Sequence, residues 1–318
     1  MSGLAARYDS LIMDADGVIY RGNQAVEHAV EVLGMLGQSM PWSIVTNNAA
    51  HPPAFIAAKT TALGLPLADH RVVTSPHGAV EYLSNVGLPP GSAVFVVGGD
   101  GIDQALREGG YLPVRDRHAR PQTVVQGFGP DVGWSQLAEA CYLIDEGALW
   151  IATNLDASIP TAEGFAPGNG SLVAAITHAV GRRPDAATGK PEPLLFQIAA
   201  ARMNAERPLV VGDRIDTDIR GGNAAGMDTM LVLTGVSGPE QIAELASGPR
   251  EDRPTYLARD LRALISPATD SLVAQASPLE TDGLSEVRAL LAAAWADPTV
   301  AEHHRRVIEQ RLHAALGC

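Results

Sequence analysis

The chain has 318 residues, 46% of them hydrophobic, which suits one large α/β domain or two medium ones and argues against wholesale disorder. A formal net charge of −13 argues against nucleic acid or an anionic membrane, which need clustered Lys/Arg, so neither is an expected partner. No apolar run reaches the ~20 residues that cross a bilayer. The N-terminus has no charged-then-apolar leader pattern, and Cys141 and Cys318 offer neither a disulfide framework nor a thiolate metal site, so a soluble cytoplasmic protein is expected.

Short apolar strands alternate with helical stretches, the βαβα rhythm of a mostly parallel sheet covered by helices. The first strand, 10–14, is followed by Asp14 and Asp16 and broken by Gly17. Side chains alternate along a strand, so the two acids point to one side. Like charges held that close need a cation between them. The second strand, 42–46, ends in Thr46-Asn47-Asn48, and the third, 71–74, leads into a helix opened by Ser75-Pro76 and closed by Gly87.

Three more strands are predicted at 93–99, 123–128 and 149–153, alternating with helices near 101–108, 135–146 and 171–180. Asp100 is the expected cap of the first of these helices, and Asn169 or Ser171 of the third. Beyond "GKPEP" (189–193), a strand at 208–212 runs into "VGDRIDTDI" (211–219), and another is predicted at 229–233. After 254 the rhythm fades. A polar loop, read as a mobile one, spans 266–283, and amphipathic helices are predicted near 284–296 and 299–316. Their apolar stripes require a partner, either the core or a second subunit of a homo-oligomer.

The polar motifs belong to the outer strands alone. The expected organisation is therefore a Rossmann-like core of 1–83 and 183–260, an inserted α/β module at 84–182 and a helical extension at 261–318. Ligands in open α/β sheets bind at the carboxyl ends of the strands. With these strands as neighbours, Asp14, Thr46, Lys190 and Asp213 would surround one small group, and Mg²⁺ suits such a set because it is a hard cation that takes oxygen ligands and shares them with phosphate. A carboxylate can attack phosphorus and a second acid can protonate the leaving oxygen, so phosphoryl transfer fits the residues. Of the 23 basic residues only Lys59 and Lys190 are lysines, which singles both out in an arginine-rich chain.

"DADGV", "TNN", "GKPEP" and "VGDRIDTDI", in that order, resemble the four motifs of the haloacid dehalogenase superfamily, in its NagD-like, p-nitrophenylphosphatase-like branch. "IATNLD" (151–156) and "GFAPGNGSL" (164–172) resemble stretches of that branch's cap, and the resemblance covers about residues 8–240. Ala15 departs from the larger apolar residue usual there, which alters packing behind Asp14. The resemblance implies Asp14 as nucleophile and Asp16 as general acid/base. It also implies magnesium on the Asp14 and Asp213 carboxylates and the Asp16 carbonyl, with Asp218 behind them. Thr46, Asn47, Asn48 and Lys190 match phosphate-binding positions. Asn154, Asp156 and Asn169 are candidate substrate contacts of the cap. Arg214 and Asp216 stay open between substrate and surface.

Single motifs have plainer readings: Asp-x-Asp-Gly is often a polar turn, and Thr-Asn-Asn a cap. His51, His77 and His178 lack metal-ligand spacing and read as structural or solvated, and Asp131, Asp145 and Glu146 as surface charge. Two non-enzyme readings compete, a phosphorylation-switched receiver and an inactive binding protein. The tail stretches "PTYLARDLRALISP" (254–267) and "DGLSEVRALLAAAW" (282–295) resemble actinobacterial D-glycerol-3-phosphate phosphatases. The expected substrate is therefore a small phosphorylated metabolite, D-glycerol 3-phosphate first, with 2-phosphoglycolate or a broad range of sugar phosphates as the alternative.

Overall fold

The computed structural model describes residues 3–37, 39–161, 163–267, 273 and 283–317. Cys318 and most of the 266–283 connection, with the mobility expected of it, lie outside the described residues. Two compact units form, Met1–Val45 with Ala58–Leu67 and Ala199–Cys318, and Thr46–Ala57 with Ala68–Ile198. Two of the four passages of the chain between them fall within the helices Pro53–Ala62 and Leu194–Met203.

In the first unit, parallel strands run in the order Tyr256–Ala258, Asp228–Val232, Pro208–Gly212, Ser10–Met13 and Trp42–Thr46, whose last residue, Thr46, opens the second unit. Met13 lies opposite Val211 on one side and Ile44 on the other. Ser10–Met13 and Pro208–Gly212 are buried along their whole length, the near-continuous apolar pattern of strands covered on both faces. Tyr256–Ala258 corrects the expectation that strands end near 254. It is only three residues long and follows Pro254, too short a run to show periodicity, yet it pairs with Met230–Val232.

The C-terminal helices Ser285–Ala296 and Ala301–Leu316 use their stripes within this unit. Leu284, Val287, Leu291, Ile308 and Leu312 are fully buried in one cluster with Ile219, Leu231, Ile242 and Leu257. Arg288, also buried, donates from Nε to the Leu257 carbonyl at 2.8 Å, and Trp295 Nε1 to the Leu245 carbonyl at 2.8 Å. Backbone carbonyls thus accept from both of these polar groups that the apolar stripe carries inward.

The second unit has its own parallel sheet, ordered Ala186–Ala187, Leu149–Ala152, Thr123–Gln126, Ala93–Val97 and Leu112–Val114. Strands 93–97 and 149–152 therefore do not join the sheet of 10–13, as the placing of the motifs implied. Phe95, Val97 and Trp150 pack on one side of this sheet, and Val94, Val96 and Ile151 on the other. Leu112–Val114 went unpredicted because Pro113 interrupts it, which an edge position tolerates. Helix Ser75–Asn85 begins as expected, and His77 has a structural role there: its Nδ1 accepts from the Thr74 N–H at 3.1 Å, closing a capping box. Gly99 and Gly168, rather than Asp100 and Asn169 or Ser171, stand at the N-caps of Asp100–Glu108 and Asn169–Val180.

Candidate active site

Asp14 immediately follows strand Ser10–Met13, and Asp213 follows the adjacent strand Pro208–Gly212. Pairing fixes their relation, because the Asp14 N–H donates to the Val211 carbonyl at 2.8 Å. Asp218 is brought in by a turn of π-helix, Ile215–Ile219, a rare conformation that recurs at functional sites. Its backbone N–H bonds to the Arg214 carbonyl at 3.0 Å, and its Oδ2 accepts from the Arg214 N–H at 3.1 Å. Ile219, on the same turn, is anchored in the cluster with the C-terminal helices.

One carboxylate oxygen each from Asp14, Asp213 and Asp218 lies within 4.8 Å of the others. Asp213 and Asp218 are buried, whereas Asp14 is half-buried. Three converging carboxylates repel unless a cation neutralises them, and hard oxygen donors at this spacing fit Mg²⁺ or Ca²⁺. The cluster could hold a metal. The Asp218 carboxylate lies beside those of Asp14 and Asp213 in it.

Glycines make room for this cluster. A Cβ at Gly235 would fall within the Asp213 carboxylate, and one at Gly212 would meet the Asp218 side chain. Gly17, at φ +87°, combines a left-handed turn with a close approach to Asp213 Oδ2. The 234–237 loop completes the cradle: the Val236 N–H donates to Asp213 Oδ2 at 2.6 Å, and Thr234 Oγ1 donates to the Gly17 carbonyl at 2.7 Å. These residues were missed in the sequence, although "TGVSG" (234–238) is a turn signal straight after a strand beside the motif strands.

Asp16 is exposed. Its turn is closed by Tyr20, whose N–H donates to the Ala15 carbonyl at 3.1 Å and whose carbonyl accepts from the Gly17 N–H at 2.8 Å. Burial lifts the Tyr20 phenol well above its ordinary pKa, and the negative charges of Asp16 and Asp14 raise it further, so it remains a neutral hydroxyl. Arg214 bonds Asp216 at 3.0 and 2.7 Å. Burial alone would raise the Asp216 pKa, but the hydrogen bond and charge of Arg214 hold it below the ordinary carboxylate value.

The remaining candidates lie in the second unit. Thr46 and Lys190 are buried, at 7% and 6% exposure. Asn47 ties two motifs together: the Lys190 N–H donates to its Oδ1 at 2.8 Å, while its Nδ2 donates to the Lys190 carbonyl at 3.1 Å and to Asp156 Oδ2 at 3.0 Å. Both amide hydrogens of Asn47 are thereby engaged in shaping the Lys190 loop. The Asn48 N–H donates to Thr46 Oγ1 at 3.2 Å. Asn154 Nδ2 donates to the Asn47 carbonyl at 2.8 Å, and Asn169 Nδ2 to the Asn154 carbonyl at 2.7 Å. Asn154 and Asn169 are buried, and in this geometry their amides brace the backbone. His51 stacks on Phe55, and His178, Asp131, Asp145 and Glu146 are exposed.

A family model of haloacid dehalogenase-like hydrolases matches residues 11–112, and a HAD-hydrolase-like model matches 187–264. The chain belongs to the haloacid dehalogenase-like hydrolases, as a phosphoric monoester hydrolase of the NagD- and p-nitrophenylphosphatase-like kind. It is 38% identical to D-glycerol 3-phosphate phosphatase of Mycobacterium tuberculosis, over 99% of this chain and 95% of that protein. An acid sugar phosphatase of Staphylococcus saprophyticus is 34% identical, over 81% of this chain and 97% of its own. The solved glycerol phosphate phosphatase of Mycobacterium tuberculosis in complex with magnesium has a TM-score of 0.90 at 37% identity, covering 98% of this chain and 99% of that one. A 4-nitrophenylphosphatase from Thermotoga maritima reaches 0.74 at 29%, covering 82% and 98%. Membership of this enzyme family sets aside the receiver and inactive-binder readings. Among the described residues no helix is long and apolar enough to cross a membrane.

Proposed function

We propose that the chain hydrolyses a small phosphate monoester, D-glycerol 3-phosphate, through an aspartyl-phosphate on Asp14. The observation that carries the chemistry is the Asp14–Asp213–Asp218 cluster at the ends of two paired strands, with Asp16 exposed two residues beyond the nucleophile. An Asp14 oxygen attacks phosphorus and the bond to the ester oxygen breaks, while Asp16 gives its proton to that leaving oxygen. Asp16 then takes a proton from water, which attacks the phosphorus of the acyl phosphate. Inorganic phosphate leaves and Asp14 returns as a carboxylate. Asp14, Asp213 and Asp218, with the Asp16 carbonyl, would hold Mg²⁺, which when bound offsets negative charge on the transferring group. Asn47 keeps the Lys190 loop in shape, and Lys190 and Thr46, at positions matching the family's phosphate-binding residues, are assigned to the phosphate oxygens. The insert of 84–182 is assigned as the cap.

The extent of alignment supports glycerol 3-phosphate as the substrate. The mycobacterial glycerol phosphate enzyme aligns with 98–99% of this chain, whereas the sugar- and nitrophenyl-phosphatase relatives align with 81–82%. A phosphate-release screen with Mg²⁺ over D- and L-glycerol 3-phosphate, 2-phosphoglycolate and sugar phosphates tests the assignment. The expected result is the highest kcat/KM for D-glycerol 3-phosphate. A preference for 2-phosphoglycolate or a sugar phosphate would overturn the substrate and leave the phosphatase intact.

A further inference from the structure

Lys59, one of only two lysines in the chain, has no part in the chemistry above. It is half-buried on helix Pro53–Ala62, and its ammonium lies 3.7 Å from the centroid of the Tyr20 ring. Tyr20 is itself 3% exposed, so this ring is fixed by packing on its other sides. Its backbone closes the turn after Asp14 through both the Ala15 carbonyl and the Gly17 N–H, and it forms an isolated β-bridge with Asp16. An ammonium centred on an aromatic face is held by the ring quadrupole, more strongly when partly desolvated. The sequence thus places a lysine, rather than the arginine it uses almost everywhere else, on the residue that closes the Asp16 turn.

We propose that Lys59 is a positioning residue, its ammonium clamping the Tyr20 ring and so holding the Ala15–Tyr20 turn in the shape that presents Asp16 to the leaving oxygen. This rests on the acid role assigned to Asp16. It has a signature that general stability lacks. An alkyl leaving group needs the proton that Asp16 supplies, whereas nitrophenolate leaves without one, and kcat/KM reports the steps up to leaving-group departure. A loosened turn therefore slows the alkyl ester selectively.

The experiment compares Lys59→Met, which keeps the aliphatic stem, and Lys59→Arg, which can still stack, using glycerol 3-phosphate and p-nitrophenyl phosphate. Lys59→Met is expected to lower kcat/KM for glycerol 3-phosphate roughly three- to tenfold, while p-nitrophenyl phosphate stays within about twofold of wild type. Lys59→Arg is expected to restore the alkyl ester. Tyr20→Leu, which removes the other half of the clamp, should show the same selective loss and decides the matter if Lys59→Met does not fold. An active wild type with both esters unchanged, or both reduced alike, in Lys59→Met and Tyr20→Leu overturns the clamp alone. A wild type inactive on both esters overturns the phosphatase chemistry and the clamp with it.

Discussion

Gly235→Ala isolates the metal cradle from the rest of the fold. Gly235 has no positive φ, so alanine is conformationally acceptable there, and the obstacle is purely the Asp213 carboxylate in the space a Cβ would fill. Asp213 has 0% exposure and cannot swing into solvent. Its displacement would break the 2.6 Å bond from the Val236 N–H, a charge-assisted hydrogen bond whose loss costs about 1.5–3 kcal/mol. Crowding a packed site adds about 1–3 kcal/mol. The melting temperature should fall accordingly. With one of three carboxylates out of place, the Mg²⁺ concentration for half-maximal activity should rise about 10–100-fold. A magnesium titration of phosphate release, paired with thermal melts with and without the metal, reads both effects. An unchanged magnesium requirement in a folded Gly235→Ala variant would refute the claim that Asp213 is held in a metal-binding position by this loop.

Asp14→Asn should cost several powers of ten in kcat while leaving the melting temperature near or above wild type, because it removes a repelling charge along with the proposed nucleophile; steady-state kinetics and calorimetry check the two halves. Leu291→Ala should destabilise the protein by about 2–5 kcal/mol in denaturant melts, since Leu291 is fully buried between the C-terminal helices and the first unit's core. Asp260 caps the turn at Leu261–Leu264, accepting from the Arg262 N–H at 2.9 Å and from its guanidinium. Burial alone would raise its pKa, but those bonds hold it below the ordinary value of 3.8. A group depressed in the folded state stabilises above its unfolded pKa and loses that contribution as pH falls through the folded value. Wild type and Asp260→Asn should therefore differ in thermal stability at neutral pH, and the difference should shrink as pH falls below the ordinary value of 3.8.

Three strands of the first sheet were legible as runs of apolar residues ending in an acid or a Thr/Asn turn, so motif and strand end coincide at Asp14, Thr46 and Asp213. The rest depended on information that no local window contains. The place of Asp218 behind the other two acids came from the resemblance alone; in the structure it lies on the π-turn at Ile215–Ile219, with a carboxylate oxygen within 4.8 Å of those of Asp14 and Asp213. The Thr234–Ser237 loop carries no chemically distinctive side chain; it acts through a backbone N–H and a missing Cβ. Asn154 and Asn169 were candidates through the resemblance of "IATNLD" and "GFAPGNGSL" to stretches of the cap, and in the structure the amide of each donates to a backbone carbonyl. Lys59 was conspicuous by composition alone, and only the ring of Tyr20 beneath it supplied a reason.

Trapping the covalent intermediate tests the central claim most directly. The wild-type enzyme would be mixed with phosphate-labelled D-glycerol 3-phosphate and Mg²⁺, quenched in acid during a single turnover, and digested. A transient, hydroxylamine-sensitive phosphoryl group is expected on the peptide bearing Asp14, decaying as inorganic phosphate appears and missing from Asp14→Asn. Turnover with no covalent label at any time, or label on a peptide that excludes Asp14, would contradict that claim.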